Sequence, residues 1–404
     1  MLTPWTRVST VKLREEFVLR ALEPDACMAE LCREYRISRQ NGYKWLNRFQ
    51  KEGLAGLRDQ SRRPASAALK ISGELAVQVV ELRQQYGWGP KKLRRLLERR
   101  LNAPAPSTRT IARILARTHL SKARRPRNPD SERPSGAPTP TVEGPNDLWT
   151  VDFKGWWRAH NGERCDPLTA RDAFSRYVLR AALLKGCDTA EVRAEFERLF
   201  EENGLPKAIL SDNGPPFGCT SAPWGLTRLS AWWVSLGIEV LHSRPGCPQD
   251  NGGHERVHVD MLGLQARSAP TRLQQQVLCD EWRTEFNHIR PHEALAMKTP
   301  GEVYVPSTRR LRPKVVSRQY PQGAALRQVS GNGAFWWNGR AQFLSRALKG
   351  HTIALVRLPT QTRATIWFHH LALGELDLEH GTRVERILAG TCHPSLPKSP
   401  GVTR

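Results

Sequence analysis

The chain has 404 residues, enough for two to four domains. Lys and Arg number 62 against 39 Asp and Glu, a formal charge of +23, and 39% of the residues are hydrophobic, with 13 Trp and 11 Phe. That content excludes a wholly disordered chain; there is no glycine period for collagen and no long heptad run for a coiled coil, and no uncharged apolar run reaches the roughly 18 residues of a membrane span.

The first expected element is a pair of helices at residues 11–35, with Val11, Phe17, Val18 and Leu22 on one and Met28, Leu31 and Cys32 on the other. After a short break, Ser38 is placed to cap a third helix, R-Q-N-G-Y-K-W-L-N-R-F-Q. This reads as a helix-turn-helix domain over 1–65, with Arg39, Gln40, Asn41 and Lys44 toward the major groove. A second such domain is expected over 66–125: an amphipathic helix at 74–86, one starting at Pro90 and carrying Lys91, Lys92, Arg94 and Arg95, and one capped by Ser107 and carrying Arg109 and Arg113. Residues 126–145 are proline-rich and read as a linker. From 146 to 268 strand and helix patterns alternate as three strands, helix, strand, helix, strand, helix, which predicts a mixed α/β layer. A helical extension with a linker fills 269–314, its helix spanning 271–288. Short apolar strands over 315–390 suggest a small β-barrel that binds DNA.

Charge follows these divisions. Residues 1–145 hold 29 Lys/Arg against 14 Asp/Glu, residues 146–300 hold 18 against 20, and residues 301–404 hold 15 against 5. Basic flanks suit phosphate backbones and a carboxylate-rich middle suits metal chemistry. The early charges Arg7, Lys12, Arg14, Glu15 and Glu16 give no signal-peptide pattern. Eight cysteines without a C-x-x-C pair suggest neither a disulfide framework nor a structural zinc site. The expected location is the cytoplasm, at the nucleoid.

Three carboxylates stand out in the middle segment. Asp152 is mid-strand between Val151 and Phe153, Asp212 ends an apolar strand at a D-N-G turn, and Glu255 opens a helix after a glycine-rich loop. A strand-centre Asp is costly to bury unless it faces a cation. Three carboxylates brought together repel unless hard divalent ions neutralise them, and two such ions can serve a phosphodiester displacement.

The segments W-T-V-D-F-K-G, D-A-F-S-R-Y-V, L-S-D-N-G and P-Q-D-N-G-G-H-E-R, followed by F-N-H-I-R-P-H-E-A-L-A-M-K-T-P-G-E-V-Y, resemble the retroviral-integrase-like transposases of bacterial insertion sequences. With the helical units, the resemblance covers about residues 10–305. It implies a multidomain chain with N-terminal all-α helix-turn-helix units and a ribonuclease-H-like α/β core. It also implies an Asp-Asp-Glu catalytic and metal triad, Asp152, Asp212 and Glu255, with two Mg2+ (or Mn2+) ions per site. The partners implied are double-stranded DNA, as element ends and as target, and at least one further copy of the chain. The alternative is a catalytically silent DNA-binding regulator of the same fold. The 43-residue gap between Asp212 and Glu255 is wider than usual in that family, and Val259 stands where a basic residue is common.

Other residues compete for these roles. Asp172 reads as a strand-turn residue near Arg176, Asp250 as a loop residue and Glu239 as solvent-facing. Asn251, Arg256 and His258 are placed to orient Glu255 or touch DNA. His254-Glu255-Arg256-Val257-His258 matches the zinc-peptidase pattern H-E-x-x-H, but the preceding Gly252-Gly253 and the basic charge argue against it. His288 and His292 are expected in packing or DNA contact, because Pro291 breaks the helix between them. The Trp pairs at 156–157, 232–233 and 336–337 are expected in core or interface.

Overall fold

Side-chain caps start two of the first helices, the expected one at Ser38 and a further one at Ser9. Ser9 accepts a hydrogen bond from Lys12 N at the head of α1 (Thr10–Ala21), and after α2 (Met28–Glu34) Ser38 accepts one from Asn41 N to open α3 (Arg39–Glu52). The structure is a computed structural model describing residues 9–60, 72–121, 141–219, 222, 225–244, 251–312, 320, 323–357, 362–378 and 384–386. The expected linker up to residue 140, the loop 245–250 with Asp250, and everything beyond 386 lie outside the described residues. The chain folds as two units, Met1–Ser72 and Gly73–Arg404.

In the first unit Phe17, Val18, Leu31, Cys32 and Leu57 form the core. Helix α3 crosses closely because Gly42 is buried: a Cβ there would stand 2.6 Å from Cys32 Sγ and 3.0 Å from the Phe17 ring. Gly42→Ala gains about 1 kcal/mol of helix propensity but incurs about 1–3 kcal/mol of overpacking. The expected net result is a loss of about 1 kcal/mol, read as faster hydrogen exchange of the α2 and α3 amides. Unchanged or slower exchange would refute the tight crossing.

The second unit begins with α4 (Gly73–Tyr86), α5 (Pro90–Leu101) and α6 (Thr108–Arg117). Pro90 occupies the first turn of α5, and Ser107 caps α6 through Thr110 N. Val79, Leu82, Leu93, Leu96, Leu97, Ile111 and Leu115 close the bundle. Its α5 also meets the body of the unit through Lys91–Glu293 and Arg99–Glu302 ion pairs, and Ile289 packs on its core.

The body is a mixed sheet. Its elements in order are β1 (Leu148–Phe153), β2 (Trp157–Arg158), β3 (Arg164–Asp172), β4 (Val178–Leu184), α7 (Thr189–Asn203), β5 (Ala208–Ser211), α8 (Arg228–Ser235), β6 (Glu239–His242), α9 (Gly252–Ala266) and α10 (Arg272–Thr284). The two-residue β2 is an addition to the expected order. Strand β1 pairs antiparallel with β3 and parallel with β5; β2 and β4 pair antiparallel with β3, and β6 runs parallel to β5. Alternation along β4, shifted once by a bulge at Leu179, sends Leu179, Ala182 and Leu184 to one face, with Phe196, Phe200 and Trp233, and Val178, Ala181 and Leu183 to the other, with Val257, Met261 and Phe286. Both faces are therefore covered by helices, which is the expected α/β layering. The expected helix 271–288 instead ends as α10 at Thr284 and runs into a π-helical turn, Glu285–Ile289, before Pro291.

The C-terminal strands are β7 (Ala325–Gln328), β8 (Ala334–Trp337), β9 (Arg340–Phe343), β10 (Thr352–Arg357), β11 (Arg363–Phe368), β12 (Leu371–Asp377) and β13 (Val384–Arg386). They form an open antiparallel sheet, β13-β12-β11-β10-β7, and a separate β8-β9 hairpin. The small barrel expected here is not closed by any pairing among the described residues. The apolar face that a barrel would turn inward is covered instead by Leu226, Ala231 and Val234 of the mixed-sheet body, packed on Phe335, Ile353, Ile366, Phe368 and Leu373.

Candidate active site

The parallel β1–β5 register pairs Leu148 with Ala208, Trp149 with Ile209 and Thr150 with Leu210. Continued two residues, it sets Asp152 level with Asp212. Asp152 is partly buried, and its Oδ1 accepts from Phe153 N at 2.8 Å. Its carboxyl is pushed up to about 6, by burial first, then by the charges of Asp212 and Glu255. Asp212, on a residue open to solvent at the strand's end, is also pushed up, chiefly by partial desolvation of its carboxyl, against the Gly214 N–H that bonds it. Glu255 is exposed in the first turn of α9, where the helix dipole favours a carboxylate.

Helix α9 is held to the sheet by a hydrogen-bond set whose protons can be assigned. Thr169 lies opposite Asp152 in the β1–β3 register, and its hydroxyl donates to the Asp152 carbonyl at 2.9 Å. The same oxygen lies 2.6 Å from His254 Nε2 and 2.9 Å from His258 Nε2. Having given its one proton, it accepts from both rings, so both histidines are protonated at Nε2. His254 Nδ1 then accepts from the Thr150 hydroxyl at 2.8 Å. His258 Nδ1, unprotonated, stands 3.9 Å from Asp152 Oδ2. Both rings are neutral: burial lowers His254 far below the ordinary imidazole value and holds His258 down to about 4.

This arrangement disposes of the zinc-peptidase pattern. His254 is fully buried with both nitrogens occupied, leaving no lone pair for a metal. Neither Thr150 nor Thr169 stands out in the sequence. Strand alternation is a usable signal for Thr150, since it puts that residue on the face of Asp152 two positions away; Thr169 depends on the antiparallel register. Of the residues expected to support Glu255, His258 faces Asp152, Arg256 is exposed, and Asn251 is the buried residue preceding α9, with no side-chain cap bond.

The donor set suits a hard cation, since oxygen ligands and mutual repulsion at Asp152 both favour one. Among the described residues, however, no three His, Cys, Asp or Glu side chains converge closely enough to hold a single ion. The triad is an open arrangement in which Asp152 feels both other carboxylates.

The competitors have structural roles. Asp172 is fully buried and accepts from Asn146 N, Ser175 N and Ser175 Oγ, which fixes the β3 turn. Glu239 is exposed. His292 stacks edge-on against Phe286, and exposed His288 against Tyr177. Trp157, Trp232 and Trp233 are buried, whereas Trp156 and Trp336 are exposed. Of the residues expected to meet DNA, Arg39, Gln40, Asn41 and Lys44 are exposed along the start of α3, and Arg109 and Arg113 along α6. On α5, Lys91 pairs with Glu293, Arg94 and Arg95 pair with Glu98, and Lys92 is half-buried.

Family comparisons agree with this layout. Profiles of the integrase core domain match residues 142–248 and 236–300, a homeodomain-like profile matches 41–115, and a helix-turn-helix profile matches 13–65. The uncharacterized 39.2 kDa protein of insertion element IS476 from Xanthomonas euvesicatoria is 28% identical over 254 residues, covering 62% of this chain and 70% of that protein. The uncharacterized protein of insertion element IS136 from Agrobacterium fabrum is 30% identical over 165 residues, covering 38% of this chain and 77% of that protein. The chain belongs to the integrase-like transposase family of bacterial insertion elements. The family's integrase core thus coincides with the sheet that carries Asp152 and Asp212, and its helix-turn-helix matches coincide with α1–α6. Among solved structures, the HTLV-2 integrase catalytic core domain in complex with magnesium overlaps 40% of this chain and 98% of its own, at 17% identity and a TM-score of 0.32. Among the described residues no helix of this transposase-family chain is long and apolar enough to cross a membrane.

Proposed function

We propose that the protein is an active DNA transposase, which binds the terminal inverted repeats of its element, frees a 3′-hydroxyl by hydrolysing a phosphodiester and joins that hydroxyl to target DNA. The observation that carries the reading is the β1–β5 register with α9 beside it: Asp152 level with Asp212, and Glu255 near enough for its charge to raise Asp152. Asp152 would contact two divalent ions, with Asp212 and Glu255 each completing one. Magnesium bound there would offset the carboxylate charge and stabilise the attacking and leaving oxygens. The chain's own contribution is positioning. Thr169 and the two histidines fix the β1 backbone against α9, and exposed Arg39, Lys44, Arg109 and Arg113 bind phosphates. Pairing two element ends requires at least two copies of the chain.

The open triad and exposed Glu255 favour one second reading, a DNA-binding regulator without catalysis. The two part in a single assay. Full-length protein is incubated with a duplex carrying an element end and a target plasmid, with magnesium or with EDTA. Transposase predicts a nick at the element boundary and a joined product with magnesium only. Binding without either product in magnesium or manganese would establish the regulator instead.

A further inference from the structure

A group of cations gathers where α5, the first turn of α9 and the segment Phe286–His292 meet. Arg171, near the end of β3, is 6% exposed, makes no ion pair, and has no hydrogen-bond partner for Nε among the described residues. Its Nη1 lies 2.7 Å from where a Cβ on Gly253 would stand, so the guanidinium lies directly against the first turn of α9 and a side chain there would push it aside. Arg171 pairs with Val178 across β3–β4, and Asn287 bonds both the N–H and the carbonyl of Val178 at 2.9 Å. That brings Phe286–His292 to the same place. The Phe286 ring carries the Arg290 guanidinium at 5.2 Å and the His292 ring at 4.8 Å. His292 is 7% exposed, and its Nε2, like Arg290 Nε, has no partner among the described residues. The Lys91–Glu293 ion pair then draws α5 in, with Lys92 on it.

The charges do not balance locally. Lys92, Arg171, Arg176, Arg256 and Arg290 face Asp260, which Arg290 holds at 2.9 Å, and Glu293, which Lys91 holds. Asp172, hydrogen-bonded by Ser175 and Asn146, and Glu285 beside Arg290 add two more carboxylates, so with Lys91 six cations meet four anions. Their crowding shows in the amine of Lys92, held down to about 8 by burial, then by Arg290 and Arg256. Arg171 is likewise held down to about 10, by burial, then by Arg176. Buried N–H groups and surplus cations are costly without an anion to meet them.

We infer that this cluster is a binding site for a phosphodiester of the DNA backbone, beside the catalytic triad. A phosphodiester supplies one negative charge and acceptor oxygens to partner-free guanidinium nitrogens. Gly253 and Arg256 flank Glu255, so a strand held here runs on toward Asp152. The inference rests on the DNA-acting reading above and adds the site that orients the strand.

The test uses full-length protein and a 30-base-pair duplex of arbitrary sequence (a length of roughly three helical turns) in EDTA, with affinity measured across a salt series. Lys92→Gln and Arg176→Gln should each weaken binding about fivefold, and the double variant more. The log–log salt slope should fall by about 0.9 for each phosphate that is no longer neutralised. Melting of the DNA-free protein should be unchanged or higher, because a repelling cation has gone. Arg176→Lys should restore binding. Unchanged affinity and slope in the double variant, or lowered melting with an unchanged slope, would overturn the proposal while leaving the transposase reading in place. Failure of the parent protein to bind any duplex would overturn both.

Discussion

Asp152→Asn is expected to abolish strand cleavage and joining, a loss of at least about a thousandfold, the scale of several kcal/mol of transition-state charge stabilisation. The DNA-free protein should not be destabilised with it. The Asp152 carboxyl is pushed up from 3.8 to about 6 in the folded protein, so the folded state binds its proton more tightly than the unfolded chain does. Stability from that proton is fully present below about 3.8 and is lost as pH rises through about 6. At pH 8 the ionised carboxylate costs up to about 2–3 kcal/mol. Asparagine cannot ionise, so the variant should melt at or above the parent at pH 8 and lose the advantage at pH 4. Added magnesium should raise the melting temperature of the parent and leave the variant unmoved. Near-parental activity, or an equal magnesium shift in both proteins, would remove Asp152 from the site.

The second large effect is on stability. His254→Ala takes away a fully buried ring that serves two threonine hydroxyls. The cavity and the stranded hydroxyls together should cost about 3–5 kcal/mol, visible as a clear drop in melting temperature. Cleavage measured below that transition should fall by about tenfold to a hundredfold, the usual range when a group behind a ligand is removed. Metal analysis of the purified parent should find no stoichiometric zinc. One tightly held zinc per chain, absent along with all activity in His254→Ala, would restore the peptidase reading.

Much of the fold is legible because the long elements carry their own period and several carry their own start signal. Ser38, Pro90, Ser107 and Asp188 each open a helix at or beside the position that residue type prefers. The strand β2, Trp157–Arg158, has no period to read at two residues. The π-helical turn after Thr284 is invisible because F-N-H-I-R continues a helical pattern until Pro291 forbids it. Closure of the C-terminal strands cannot be judged from their spacing, since the partner covering them comes from α8, about a hundred residues earlier. The three carboxylates are readable from strand, strand end and helix start. The clamp behind them is not: Thr150, Thr169 and His254 meet only through tertiary register, and an H-E-x-x-H pattern misstates what His254 does.

The contacts between α5 and the segment after the π-helical turn set a gauge. Lys91–Glu293, Arg99–Glu302 and the partly buried Ile289 fasten α4–α6 to the mixed-sheet body at two charged points and one apolar one. The offset from Arg109 and Arg113 on α6 to Asp152 is then a property of the fold and not of a tether. On the proposed transposase reading, such an offset corresponds to a set number of base pairs between a phosphate held on α6 and the phosphate cut at Asp152. Loosening Glu293 or Glu302 would blur that count, spreading the cut over neighbouring phosphates even with every carboxylate of the triad in place.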